Sequence, residues 1–401
     1  MNIVHVTAHL GGGVGKAHAA LRAAMPGDIS QTYLLLEEPR DRRYADEIAA
    51  SGGDIVIARN LADIAERAGR ADIVQFEFWN HPKLFECLAS CRLPPIRSVF
   101  WSHVSGLFRP VIAPGFFQSA DRFVFTTPAS LSLAEDLASG IRPRLSSIGS
   151  GFGFANDAPA PSANCDDAPI CYLGTVDFIK MHPGFFDAMD AMTTDAVAAI
   201  WGSYDAEGDV VRRAAAMRHP HRVRFMGQTP DPNAALARAQ IFFYPLQPEH
   251  YGTAENALIE AMSLGLAPVV LDNPSERAIV PDGAAGLVAA SIEDCASVLD
   301  DLVRNPDRAR RLGRAACAHA RKNFTPQKSA SAFVALWRDL LQAPKRDHDF
   351  AGVTGKTPLD WYRATQILAS GSMAAESDRE AKGTLAHFRS AFPDHSCWKT
   401  M

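Results

Sequence analysis

The sequence predicts an α/β protein built from two doubly wound parallel-sheet domains. Three observations carry that expectation. Apolar runs of strand length alternate with helical stretches, first from Ile3 to Thr126 and again from Ile170 to Leu271. Between the two sets, residues 152–168 hold Asn156, Asp157, Pro159, Pro161, Ser162, Asn164 and Asp166 without a hydrophobic period, the composition of a linker. A chain of 401 residues, 47% hydrophobic, suffices for two cores, since domains commonly take about 100 to 200 residues each. The expected division is a first domain over 1–151, a linker over 152–168, a second domain over 169–342 and a polar, helical extension over 343–401.

Composition narrows the function classes. The formal charge of −5 and the lack of an aromatic-basic pattern leave no footprint for nucleic acid. No stretch approaches the ~18 uninterrupted apolar residues of a membrane span. Met1-Asn2-Ile3 runs straight into a strand without a basic start or cleavage site, so a cytoplasmic location is expected. Seven scattered cysteines form no metal-ligand pair of the C-x2-C kind and suit reduced thiols.

In order, Ile3–Thr7 reads as the first strand and Val14–Met25 as an alanine-rich helix stopped at Pro26, with Gly11-Gly12-Gly13-Val14-Gly15-Lys16 between them. Glycines after a first strand let the backbone approach a phosphate or sugar closely. As a P-loop the stretch fails at Leu10, where the first glycine belongs, and at Ala17, where the magnesium-binding hydroxyl belongs. As a dinucleotide fingerprint it places Gly13 correctly and Glu37 after the second strand, but has Lys16 at the third glycine. A tight connection with no ligand is the remaining alternative. Further strands follow at 31–36, 55–58, 73–76, 98–101 and 123–126, with a helix over 60–68. Gln75–Pro82 sets aromatic and polar groups past one strand end, suiting either an acceptor wall or core packing. Trp101–Gly106 sets His103 past another.

The second set comprises Ile170–Gly174, Ala196–Trp201, Arg222–Phe225, Gln240–Tyr244 and Ala267–Leu271. Pro245 ends the fourth strand, because a proline cannot continue a central ladder. From Thr253 the apolar residues Ala254, Ala257, Leu258, Ala261 and Met262 recur at helical steps, with Thr253 as N-cap, Glu255 in the first turn and Gly265 and Pro268 closing the helix. Thr253, Asn256, Glu260 and Ser263 form a polar row, either a solvated face or a ligand-facing one, since open α/β sheets bind ligands at strand carboxyl ends. Helices are expected over 292–303, 307–323 and 327–341. Arg308, Arg310, Arg311, Arg314, Arg321 and Lys322 read as a solvated face, with peripheral contact to anionic lipid as the alternative.

Pro245, Glu249 and Gly252, followed by Glu260-Ala261-Met262 and Pro268-Val269-Val270, resemble the nucleotide-sugar segment of the retaining glycosyltransferases of family 4, also called group 1, which have the GT-B architecture of two Rossmann-like domains facing a cleft. In that family the two glutamates are separated by seven residues; ten separate Glu249 from Glu260. Gly174–Lys180 resembles the family's donor-phosphate loop, with Lys180 matching and Thr175 standing where an arginine is expected. Trp201-Gly202-Ser203 and Val223–Gly227 extend the likeness, which covers about 1–341.

The resemblance implies transfer of a sugar from a nucleoside-diphosphate donor to an acceptor hydroxyl, with retention at the anomeric carbon and neither metal nor further cofactor. It implies donor contacts from Gly12, Gly13, Gly174, Lys180, Glu249, Gly252, Thr253 and Glu260, with Glu260 on the ribose. Catalytic roles fall to His103, Lys180 and Glu249, with Lys180 facing the leaving diphosphate and the other two holding the sugar. The acceptor would be a glycan, a lipid-linked molecule or a small molecule, met in the cytoplasm or at the cytoplasmic face of a membrane. A non-catalytic nucleotide-sugar binder of the same fold is the rival reading. A glycoside hydrolase would need a pair of flanking carboxylates, and no local pair identifies itself.

Overall fold

A computed structural model describes residues 1–39, 41–135, 140–151, 168–366 and 383–400. The expected linker lies, apart from Ala168, outside the described residues. The chain divides into two compact units, Met1–Gly151 with Pro326–Met401, and Phe152–Thr325.

In the first unit seven parallel strands, β1 (Asn2–Thr7), β2 (Ser30–Leu35), β3 (Asp54–Ile57), β4 (Ile73–Phe78), β5 (Ser98–Ser102), β6 (Arg122–Phe125) and β7 (Leu145–Ser147), lie in the order β3-β2-β1-β4-β5-β6-β7. β1, β4 and β5 are buried nearly throughout, as befits strands covered on both faces. Val4 pairs with both Thr32 and Val74, so the strand order reverses between β1 and β4. The helix Gly12–Ala24 follows β1 and buries Val14, Ala17, His18 and Leu21. Gly15 is a packing glycine, since a Cβ there would stand 1.8 Å from the Leu10 carbonyl oxygen.

The helix Pro326–Leu340, expected in the second domain, packs instead in the first unit. Its Phe333 stacks edge-on against Trp101, and Trp337 Nε1 donates to Gln75 Oε1 at 3.0 Å. The described part of 343–400 continues on the same unit. Ile96 and Arg346 exchange backbone hydrogen bonds, Phe350 packs on Phe76 and Phe100, and Phe388 on Phe85.

The second unit holds β8 (Ile170–Leu173), β9 (Ala198–Trp201), β10 (Val223–Gly227), β11 (Ile241–Tyr244), β12 (Ala267–Leu271) and β13 (Leu287–Ala289), all parallel in the order β10-β9-β8-β11-β12-β13. Its order reverses between β8 and β11. Phe242, Phe243, Leu258, Ala261 and Met262 share one core beneath the helix Asn256–Ser263. β8 and β9 end in close backbone contact. A Cβ on Gly202 would lie 2.0 Å from the Gly174 oxygen, and Gly202 has φ 148°. Gly202→Ala is therefore expected to destabilise the protein by about 1–3 kcal/mol, read as a lower urea midpoint at unchanged slope.

The 256–263 helix starts two residues later than the sequence predicts. Glu255, not Thr253, is its N-cap, and takes the left-handed conformation at φ 39°, ψ 53°. The polar row is not a solvated face either, because Thr253, Glu260 and Ser263 are buried. The helix Pro306–Asn323 does expose its arginines, and Arg308 pairs with Asp301 and Arg310 with Asp307. Among the described residues no helix is long and apolar enough to cross a membrane.

Candidate functional site

The topological switch point of an open parallel sheet is where ligands enter. In the second unit that point is the crevice beyond β8 and β11, and two loops close on each other there. Met181 and Leu246 form an antiparallel bridge, His182 N–H donates to the Pro245 oxygen at 3.0 Å and Gln247 N–H to the Lys180 oxygen at 2.8 Å. Gln247 Nε2 adds a bond to the Phe178 oxygen. Proline stops β11 at Tyr244, and the released chain fixes the backbone of the Gly174–Lys180 loop.

That clasp places Lys180 Nζ 2.9 Å from Glu255 Oε2, with the carboxylate fully buried. Tyr244 OH donates to the same oxygen at 3.0 Å. Burial opposes both charges, yet the Lys180 ammonium holds the Glu255 carboxyl below its usual range and Glu255 holds Lys180 above its own. Tyr244 is pushed well above its ordinary value by burial and then by Glu255, so it stays a donor. Behind Glu255, His250 Nδ1 accepts the Gly252 N–H at 2.9 Å and its Nε2 faces Glu276 Oε1 at 3.0 Å. Gly252 leaves room for the carboxylate, since a Cβ there would stand 2.1 Å from Glu255 Oε1.

In the first unit a second buried carboxylate gathers imidazoles. Glu77 on β4 is fully buried, with His5 Nδ1 and Gln75 Nε2 at 2.9 and 3.0 Å from Oε1, and His18 Nε2 and His103 Nε2 each 3.1 Å from Oε2. The bond directions follow from the Arg22 end. Arg22 Nη1 donates to Gln31 Oε1, so Gln31 Nε2 donates to His5 Nε2, and the His5 proton sits on Nδ1 facing Glu77. Burial lowers the His5 pKa, keeping it neutral. Burial opposes the Glu77 charge, but His18, His103 and His5 together hold its carboxyl well below the usual range.

Beyond β1 and β4, His9 and His81 aim Nε2 at Glu37 Oε1, at 3.9 and 3.5 Å. Their Nδ1 atoms accept from the Gly11 and Lys83 backbone N–H groups, so Nε2 carries the proton. A metal-ligating histidine donates its second ring N–H rather than accepting there. His9, His81 and His250 thus present protonated Nε2 atoms, the pattern of hydrogen-bonded networks and not of metal ligands.

The sequence-derived candidates disperse accordingly. Lys180 and Gly252 meet at Glu255, Gly174 closes against Gly202, and Glu260 is buried one turn into the 256–263 helix. Glu249 is exposed on the preceding loop and makes no hydrogen bond or ion pair among the described residues, while its neighbour His250 points inward. Gly12 and Gly13 are exposed at the start of their helix, and a Cβ on either would meet nothing within 4 Å. His103 belongs to the Glu77 cluster. Sequence reasoning missed Tyr244, His250, Glu255, Glu276 and Glu77. A signal existed for one of them. In the family motif the glycine stands five residues before the second glutamate, and five before Glu260 is Glu255, which adopts a glycine's backbone conformation.

Residues 155–319 match the family described as Glycosyl transferases group 1. No curated protein matches the chain. Among solved structures the fold is similar to Anabaena Alr3699/HepE in complex with UDP and glucose, at TM-score 0.66 and 14% identity over 84% of this chain and 100% of that one. It is similar to sucrose-phosphate synthase from Thermosynechococcus elongatus, at TM-score 0.65 and 16% identity over 85% and 99%. The lipopolysaccharide outer core galactosyltransferase WaaB gives TM-score 0.65 and 13% identity over 84% and 100%. At such identities the likeness is one of fold. The chain thus has an α/β fold of two parallel-sheet Rossmann-like units, similar in fold to these structures, and its residues 155–319 match the model of the Glycosyl transferases group 1 family.

Proposed function

We propose that this protein transfers a sugar from a nucleoside-diphosphate donor to an acceptor hydroxyl, as a retaining hexosyltransferase without a metal or further cofactor. The observation that carries the reading is Lys180, a partly buried ammonium clasped at the switch point of the second sheet beside the amino end of the 256–263 helix. A cation and helix N–H groups there suit a diphosphate, and they stabilise the charge that builds on it as the glycosidic bond breaks. Glu260 is assigned to the ribose. Within the first unit, His103 and the Gly12–Gly13 turn are assigned to the sugar and the acceptor, for which a glycan, a lipid-linked molecule or a small molecule would serve. HepE was crystallised with UDP and glucose, which makes UDP-glucose the first donor to test.

The experiment is a thermal-shift screen in EDTA with UDP, GDP, ADP and their glucose conjugates, followed by a turnover assay on any conjugate that binds. A raised melting temperature with one base, and nucleotide release from the conjugate, are expected. No shift with any compound overturns donor binding. Tight binding without even slow hydrolysis turns the reading into that of a binder, the alternative favoured by Thr175 standing where a second cation is expected.

A further inference from the structure

Glu255 is a large, charged residue in a backbone conformation that favours glycine, and its side chain is fully buried. One oxygen, Oε2, is taken by Lys180 and Tyr244. The other, Oε1, has no hydrogen-bond partner. His250 Nδ1 stands 3.8 Å from it, but the lone pair of that nitrogen already takes the Gly252 N–H. Buried acceptors are normally satisfied, so an Oε1 without a donor calls for a ligand that brings a hydroxyl. A diphosphate brings only acceptors. It needs Lys180, and Glu255 holds Lys180.

We propose that Glu255 is an internal counter-ion which Lys180 gives up to the diphosphate of the donor, and that the carboxylate then accepts hydrogen bonds from hydroxyls of the sugar to be transferred. The inference rests on the donor-binding reading above. Its consequence is discrimination by sign. A nucleoside diphosphate without a sugar must break the Lys180–Glu255 pair and offers the carboxylate nothing in return, whereas the sugar conjugate repays the carboxylate with O–H donors. After transfer, re-formation of the ion pair favours departure of the spent nucleoside diphosphate.

The test is calorimetric titration of UDP and UDP-glucose, or the corresponding pair selected by the screen, against the wild type, Glu255→Gln and Glu255→Gly. The glycine variant suits the left-handed backbone and guards against a glutamine variant that fails to fold. Removing the charge is expected to tighten UDP about tenfold, one charge-assisted bond gained by the diphosphate, and to weaken UDP-glucose relative to UDP by a further ten- to hundredfold. A residue that merely supports the loop would weaken both ligands together. Equal weakening of both, or no change in their ratio, in a folded variant overturns the exchange while leaving donor binding intact. If the wild type binds no member of either pair, the donor reading falls and the exchange falls with it.

Discussion

Lys180→Ala is expected to lose about 3–5 kcal/mol of stability as well as donor binding, because it strands the fully buried Glu255 carboxylate without its cation. The sign of its pH dependence is opposite to that of the wild type. With Lys180 present, the Glu255 carboxyl is held below its ordinary value of 4.5, so its contribution is complete above that value and is lost as pH falls. Without Lys180, the burial that raises the carboxyl is opposed only by His250 and the Tyr244 hydroxyl, so the carboxyl rises and the variant recovers stability as the group takes up a proton. The gap between the two proteins should therefore be widest near neutrality and close toward acid. Urea denaturation of both at pH 7 and in the acid range checks this. A gap that stays constant with pH would mean that Glu255 is not the ionised partner of Lys180.

Glu77→Gln is expected to cost about 3 kcal/mol, since the imidazoles and Gln75 lose a charged acceptor inside the first sheet. The amide oxygen will stay toward His5 Nδ1–H and Gln75, which donate, so its NH2 group must face His18 and His103 and reverse the bond to His103 Nε2. The folded-state carboxyl lies well below 4.5, so the stability Glu77 supplies is complete above that value and disappears as pH falls through the folded pKa. His5 adds a loss of the same sign that begins below its ordinary value of 6.5, and it persists in the variant. The difference between wild type and Glu77→Gln should shrink only below about pH 4.5, where the variant keeps the flatter profile. Nitrogen NMR of the imidazoles provides a readout that a packing defect would not move, because the His103 tautomer should change.

Much of the architecture was legible because burial writes itself into a sequence at fixed periods. Gln240–Tyr244 and Ala267–Leu271 are continuous apolar runs because both faces of those strands are covered, and each lies within a residue of its predicted place. Lys180 was singled out by a different route, the likeness of Gly174–Lys180 to the donor-phosphate loop of the group 1 glycosyltransferases. Periodicity misassigned the helix Pro326–Leu340, whose amphipathic pattern states only that one face is buried, not against which sheet. What decides the partner is Trp337, whose indole reaches Gln75, 262 residues earlier in the chain.

The candidate site divides along the same line. The sequence by itself determined the two parallel sheets and the loop after β8 that carries Lys180. Only the tertiary structure decided that Lys180 meets the Glu255 carboxylate while Glu249 stays in solvent, and that His103 leans on Glu77. The reason is geometric. Glu249 and Glu255 are both loop carboxylates in sequence, and a left-handed backbone turn at Glu255 sends one of them inward while the other stays in solvent. Glu77 and His5 are 72 residues apart, brought together because β1 lies beside β4, a pairing that is non-local and leaves no period to read.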